Sequence, residues 1–160
     1  MKPYHPTSPG FVPRKQSSQQ VPQQQRVSAL GSDYLKCGYF DSANRPKAEI
    51  ITSLAFSVAS ELKQTGMTTH QIRNFYNKVM YLKRRLDSGQ PFEEIQWRLQ
   101  TLHRDAANAV GKNNAPEKFK QFIDKNTDLA VKDPHSFKNG FIQHFQSVVA
   151  YLNYLEEKKH

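Results

Sequence analysis

The chain of 160 residues is long enough for one domain with its own hydrophobic core, and it carries a net charge of +9 at pH 7. That charge favours nucleic acid or another anionic surface as the partner, the alternative being simply a basic soluble protein. No apolar run approaches the ~20 residues of a membrane span and the N-terminus lacks an apolar signal core, so we expect a cytoplasmic protein without membrane contacts.

The first 45 residues differ in composition from the rest of the chain. They contain a polar, glutamine-rich tract at 16–25, many serines, and the prolines Pro3, Pro6, Pro9, Pro13 and Pro22. Such a segment buries too little apolar surface to offset its backbone entropy, which predicts a disordered tail over 1–45 and a folded domain over 46–160. One exception is the aromatic cluster at 34–40, which either docks on a partner or is a chance cluster in the tail.

From Pro46 onward, apolar residues recur every three or four positions, as in amphipathic helices. Prolines and glycines at the ends of these stripes predict helices over about 46–64, 68–89, 91–111, 116–132 and 134–155, with Thr68 or Thr69 as the N-cap of the second. The stripe of the first helix is Ile51, Leu54, Val58 and Leu62, and that of the fifth is Phe137, Phe141, Phe145, Val148, Leu152 and Leu155. No segment alternates with period two over strand length. The sequence therefore predicts an all-α fold, a compact bundle of about five helices.

The second predicted helix lies in a stretch with charge of one sign. Between Glu61 and Asp87 there are six basic residues and no acidic residue. A single-signed helix face is self-repulsive, so it indicates a polyanionic partner. At ~100° per residue, Arg73 and Arg84 fall on one flank of the helix.

The other flank of this helix carries Lys78 and Arg85, with Tyr81 between the two groups. Lys83 falls inside the apolar arc, where it either snorkels from the end of the core or reaches a cleft between helices. We predict that all five cations of this helix contact nucleic acid.

The third helix offers a second surface opposite its apolar stripe. Trp97, Thr101, Arg104 and Asn108 follow one another at spacings of four, three and four. An exposed tryptophan beside arginine stacks on a base or anchors a protein neighbour, unless a later helix covers it. We name Trp97 and Tyr81 as candidates for a protein interface, and Arg104 as a candidate RNA contact. Lys112, just past Gly111, lies where a loop could meet phosphate.

No motif for catalysis, cofactor binding or metal binding stands out. The sequence at 103–105 superficially matches a kinase catalytic loop, but the later asparagine is at the wrong distance and no glycine-rich loop accompanies it. The six histidines form no pair at ligand spacing on one helix, and Cys37 is alone. We predict no enzyme activity, no cofactor and no metal; a metal-free nuclease built on His103 is the catalytic alternative.

Four segments carry a resemblance to a known family. They read MTTHQIRNFY at 67–76, FEEI at 92–95, AANAVGK at 106–112 and FIQHFQSVVAYLNY at 141–154. In this order they resemble the small subunit of the type III-A CRISPR (Csm) effector complex, over about residues 47–155. The departures are Met67 in place of the family's leucine, Leu152 and Asn153 in the closing motif, and the long N-terminal tail.

The resemblance implies an all-helical, non-catalytic subunit that stacks with copies of itself and with other subunits of the complex. There it lines the duplex of guide RNA and target RNA and contacts the backbone without reading sequence. The motif arginine of the family falls on Arg73, and its Gly-Arg/Lys position falls on Lys112. Lys78, Lys83, Arg84, Arg85 and Arg104 are candidates from helical geometry alone.

Two other functions fit the same charge and helicity. The basic face could bind an acidic protein, which would make the chain a protein-interaction subunit. A helix-turn-helix regulator of DNA would also be basic and helical.

Overall fold

In the computed structural model of the chain, the described residues are 3–4, 10 and 28–158. They form five α-helices: α1 (Ser53–Gln64), α2 (Thr69–Asp87), α3 (Phe92–Gly111), α4 (Glu117–Ala130) and α5 (Ile142–Glu157). A 3-10 turn, Ala48–Ile51, precedes α1, and a π-helical turn, Ser136–Phe141, precedes α5. No strand occurs in this part of the chain, and the predicted all-α bundle is confirmed.

Helix α5 is the centre of the bundle, because it packs against both α1 and α2, while α3 packs against α4 and α2. The core is rich in phenylalanine. The ring centroids of Phe122 and Phe145 lie 5.2 Å apart in an edge-to-face arrangement, and those of Phe141 and Phe145 lie 5.6 Å apart. The predicted apolar stripe of α5 is fully buried from Phe137 to Leu152. The apolar periodicity of this segment therefore predicted its buried residues correctly.

The N-cap of helix α2 is Thr68, one of the two residues predicted for that position, and the cap is a capping box. The side chain of Thr68 accepts a hydrogen bond from the backbone N–H of Gln71, and the Gln71 side chain accepts one from the backbone N–H of Thr68. Thr69 has a different role, because its hydroxyl donates to Glu156 Oε2 at 2.6 Å. The start of α2 is thereby attached to the end of α5.

The first predicted helix is interrupted at Thr52, where φ is −124° and ψ is −106°. The residues before it form the 3-10 turn, which winds at three residues per turn and so shifts the inward-facing position. Ile50 is fully buried as a result, whereas Ile51 is 45 % exposed. The predicted core position of Ile51 was therefore wrong.

Residues 28–45 fold onto the bundle, although their composition predicted disorder. Leu30, Tyr34, Leu35 and Tyr39 from this segment are all buried in the common core. The aromatic cluster at 34–40 thus docks on its own chain. Apart from residues 3–4 and 10, the rest of the predicted tail lies outside the described residues.

A hydrogen-bonded network attaches this N-terminal segment to α4 and α5. His144 Nδ1 lies 2.5 Å from the carbonyl oxygen of Ile50, so this nitrogen carries the proton and donates. His144 Nε2 is then the acceptor for the Tyr34 hydroxyl at 2.6 Å. Asn126 Nδ2 donates to the same hydroxyl oxygen at 3.0 Å, and Tyr39 donates to Asn126 Oδ1 at 2.6 Å. Every member of the network has a partner, which is what burial of polar groups requires.

Burial keeps the three titratable members of the network uncharged. It raises the pKa of Tyr34 and Tyr39 well above 10.0, and it lowers the pKa of His144 from 6.5 to about 4. A neutral imidazole is also what the hydrogen bonds need, because a protonated Nε2 could not accept from Tyr34.

The N-terminal segment has two further attachments. Glu61 on α1 accepts hydrogen bonds from Ser28 and, at 2.8 Å, from the backbone N–H of Ala29, and it pairs with Lys118 at 3.1 Å. Burial opposes the charge of Glu61, but these donors outweigh burial and lower the pKa of its carboxyl. At the other end, the ring of Tyr39 lies against Gly140 in the π-helical turn. A Cβ atom on Gly140 would come within 2.6 Å of Tyr39 Cγ.

We predict that the fold loses stability between pH 6.5 and pH 4 because of His144. The unfolded chain takes up a proton near 6.5 and the folded one only near 4, so acid favours the unfolded state across this interval. The loss should reach about 3 kcal/mol at pH 4 in urea unfolding. His144→Gln should flatten this interval, whereas the same change at exposed His70 should not. An unchanged pH dependence in His144→Gln would contradict the assignment.

We predict that Gly140→Ala destabilises the fold by about 3 kcal/mol in urea unfolding, because the methyl group displaces Tyr39 from its hydrogen bond with Asn126. The matched control is Gly111→Ala near the end of α3, where a Cβ meets nothing within 4 Å. That substitution should leave stability unchanged or raise it by up to about 1 kcal/mol. Equal effects of the two substitutions would show that Tyr39 does not need the space at Gly140.

Candidate nucleic-acid interface

The outer face of α2 carries two exposed arginines on the flank away from α3. Arg73 and Arg84 are eleven positions apart, which places them ~16 Å apart along the helix axis. None of the ion pairs within residues 28–158 involves either arginine. Both cations are therefore available to an external anion.

Lys78 occupies the opposite flank and faces α3. Its Nζ lies 3.4 Å from Asp105 Oδ2 and 5.0 Å from the centroid of the Phe75 ring. Half of the side chain remains exposed. The charge of Lys78 is partly balanced, but its ammonium group still reaches solvent.

The ammonium group of Lys83 is held at the surface by a carboxylate of the same helix. It forms an ion pair with Asp87 at 2.7 Å, one turn further along α2. Asp87 is also paired, at 2.5 Å, with Lys138 from the π-helical turn. Hydrogen bonds from Lys138 and Lys83 lower the pKa of the Asp87 carboxyl. This cluster links the end of α2 to the π-helical turn. Because the charge of Lys83 is balanced by Asp87, Lys83 is a weaker candidate for an RNA contact than Arg73.

Arg85 is engaged in contacts at the junction of α2 and α3. It donates to the Tyr81 hydroxyl at 2.7 Å and to Gln90 Oε1 at 2.8 Å, and it lies 4.0 Å from Glu94 Oε2. Its guanidinium carbon lies 5.4 Å from the centroid of the Tyr81 ring. These contacts hold the Tyr81 ring in place and leave Arg85 little freedom to reach a phosphate.

Helices α2 and α3 enclose an open groove of about 510 Å³, here termed the α2–α3 groove. Its lining residues include Asn74, Asn77, Lys78, Tyr81, Trp97, Arg98, Thr101, Arg104 and Asp105. A second hollow of about 510 Å³ continues from it toward Lys112 and shares Asn74, Lys78 and Asp105 with it. The groove thus unites the predicted Lys78, Arg104, Tyr81 and Trp97, whereas Lys112 lines the second hollow.

Trp97 is 69 % exposed in the groove, so no later helix among the described residues covers it. Arg104 is also largely exposed, with its Nε 3.7 Å from Asp105 Oδ1. Tyr81 is 46 % exposed. The two aromatic residues proposed for a protein interface therefore lie in the same groove as two of the predicted cations, Lys78 and Arg104.

Two cations near these candidate residues were not predicted from the sequence. Arg98 lines the groove beside Trp97, and only its position next to Trp97 on α3 could have indicated it. Lys138 reaches the end of α2 from a distant part of the chain. No sequence signal could have identified that contact, since it depends on how the π-helical turn packs.

His103 lies between α3 and α4, outside the lining of the groove. Its Nδ1 lies 2.6 Å from Asp124 Oδ1 and its Nε2 lies 3.2 Å from Asp128 Oδ1. Burial disfavours the charge of Asp124, but hydrogen bonds from Lys120 and His103 outweigh it and lower the pKa of that carboxyl. Both ring nitrogens of His103 thus have carboxylate partners in the folded chain.

The described residues contain no group of three or more histidines, cysteines or carboxylates placed to hold a metal ion. They also contain no helix that is both long and apolar enough to cross a membrane.

The family model described as Csm2 Type III-A matches residues 45–158. This span contains all five helices and every candidate residue of the α2 face and the α2–α3 groove. Comparison with curated proteins and with solved structures gave no significant match.

We predict that alanine substitutions at two adjacent arginines differ in their effect on stability. Arg85→Ala should lower the free energy of unfolding by about 1–3 kcal/mol, because Tyr81 and Gln90 lose their donor. Arg84→Ala should change it by less than about 0.5 kcal/mol. Urea unfolding of the two variants provides the comparison, and equal stabilities would contradict the structural role of Arg85.

Proposed function

The chain belongs to the Csm2 family of type III-A CRISPR systems and is a small subunit of the effector complex, and from this we propose that it binds the RNA backbone without reading sequence. The backbone in question is that of the guide RNA and target RNA held in the complex. The observation that carries the proposal is the pair of exposed arginines, Arg73 and Arg84, on one flank of α2.

Several features support contact with phosphate rather than with base edges by these two arginines. A separation of ~16 Å along the axis suits several phosphates rather than one. Phosphate contacts fix the position of a protein on RNA but carry no sequence information. Arg73 also falls on the arginine of the family motif. We therefore assign Arg73 and Arg84 as the principal backbone contacts.

The cations around the α2–α3 groove have a secondary role in this proposal. Lys78 and Arg104 keep exposed side chains beside Asp105, and Lys112 lies in the exposed turn after α3. They add positive potential along the path from α2 to the end of α3. Lys83 and Arg85 contribute less to binding, because each is held by carboxylate or amide partners of the chain.

We further propose that the subunit is non-catalytic and acts by stacking with copies of itself and with other subunits. One copy contacts few phosphates, so its own affinity is low and the assembled array supplies avidity. The engagement of His103 with two carboxylates supports a structural role for that residue rather than a nuclease role.

A second candidate function is protein interaction, in which the same basic face binds an acidic subunit. The exposed Trp97 and Tyr81 are the observation that favours it, because such aromatic residues often anchor protein interfaces. Crosslinking from Lys78 in the assembled complex separates the two: attachment to protein and never to RNA would favour the second candidate.

We predict that Arg73→Ala and Arg84→Ala weaken RNA binding about equally for unrelated sequences. Each should also reduce the slope of log affinity against log salt by about 1, because one phosphate contact is lost. Fluorescence anisotropy over a salt series measures both effects. Arg73→Lys, which keeps the charge, and Lys83→Ala, which removes a paired cation, are the matched controls and should retain the slope.

Three results would contradict the RNA-backbone proposal. One is a flat salt response, and another is strong preference for one RNA sequence. The third is tighter binding to a particular duplex DNA than to RNA, which would instead indicate a helix-turn-helix regulator.

A further inference from the structure

The α2–α3 groove contains an aromatic side chain that the fold itself does not use. Trp97 is 69 % exposed, while the buried positions of α3 are Ile95, Leu99, Leu102 and Ala106. It is the single tryptophan of the chain. A large apolar surface held open in a groove marks a binding site more often than an isolated exposed residue does.

Tyr81 of α2 lies in the groove wall opposite Trp97, and its ring is held in one position. Tyr81 is fixed by the hydrogen bond from Arg85 at 2.7 Å and by the guanidinium beside its ring. The groove volume of about 510 Å³ lies within the range of small-ligand sites. A planar ring could therefore lie against Trp97 without rearrangement of the helices.

The charges of the groove favour an anionic ligand. Three cations, Lys78, Arg98 and Arg104, line it together with one carboxylate, Asp105. A second copy of this chain using the same surface would bring those cations against their own counterparts, which is unfavourable. A nucleotide instead combines a planar ring for the indole with a phosphate for the cations.

Two amides complete the chemistry of the site. Asn74 and Asn77 line the groove from α2, and both are exposed. Amide groups donate and accept hydrogen bonds, so they can contact the edge of any base. Stacking on an aromatic face likewise tolerates every base, because each base has a π-face.

We infer that the α2–α3 groove binds an unpaired nucleobase of the RNA strand, stacked on Trp97, with its phosphate beside Lys78 and Arg104. This inference rests on the proposed function, since the strand that supplies the base is the one whose backbone α2 contacts. It adds a second kind of contact to that function: a single-stranded nucleotide is held by its ring, whereas a paired one is held by its phosphate alone.

The test compares two strands of the same length with the full chain. One is oligouridylate of about ten nucleotides, and the other carries abasic sites at all internal positions. Because Trp97 is the single tryptophan, intrinsic tryptophan fluorescence reports on the groove alone. Oligouridylate should quench this emission and bind between about fivefold and 150-fold more tightly than the abasic strand, which should not quench.

Variants separate stacking from phosphate binding. Trp97→Ala should abolish the preference for the base-containing strand in anisotropy measurements while leaving the salt slope unchanged, because no phosphate contact is lost. Trp97→Phe should retain the preference, since it keeps an aromatic face. Tyr154→Ala removes an aromatic residue of similar exposure on α5 and should change neither property.

Three outcomes would overturn the inference, and they are distinguishable. Equal binding of both strands with unchanged emission would remove the nucleobase site and leave backbone binding intact. Binding of neither strand at low salt would overturn backbone binding as well. A shift of the Trp97 emission with protein concentration alone would show that a second copy of the chain covers the groove.

Discussion

The buried hydrogen-bonded network around His144 is the constraint on which the rest of the fold depends. It lies in a hydrophobic core rich in leucine and phenylalanine, where an unpaired polar atom would be costly. Because His144 must donate to Ile50 and accept from Tyr34, one tautomer and one arrangement of the chain satisfy it. The network therefore sets the position of the N-terminal segment, the 3-10 turn, α4 and α5 relative to one another. A change at any one of these elements would leave a partner in another without its hydrogen bond.

Helix α2 packs against the core through one face, and its charged side chains lie on the opposite face. Its first turn is bonded to Glu156 of α5, and its core face packs on α5. A helix with five cations and one terminal carboxylate would repel itself if it stood alone. Neighbouring groups offset part of that repulsion: Asp105 balances Lys78, and Glu94 and Gln90 hold Arg85. What remains exposed is the pair Arg73 and Arg84, which is why the structure concentrates the proposed binding on one flank.

The proposed contacts differ in how they depend on the RNA. Phosphates are present on every nucleotide, so the arginine flank would hold any strand of the complex. The α2–α3 groove would engage only a nucleotide whose base is free of its pairing partner. Both surfaces include residues of α2, and Arg85 holds Tyr81 in place in the wall of the groove. A non-catalytic subunit could in this way distinguish paired from unpaired RNA without reading sequence.

The sequence by itself determined the five helices, most of their ends and their inward faces, because helical periodicity and end signals are local. It also identified the cations of α2 and the groove residues Trp97 and Arg104, since helical spacing gives the face of each. Tertiary structure alone decided that Lys78 and Arg85 are paired, because Asp105 and Glu94 lie on α3, whereas the pair of Lys83 with Asp87 is local to α2. It alone decided that residues 28–45 fold: Tyr34 and Tyr39 find their partners about 90 to 110 positions away. Hydrogen bonds over such separations leave no periodic pattern in the sequence. The composition of residues 28–45 therefore predicted disorder, although this segment completes the core.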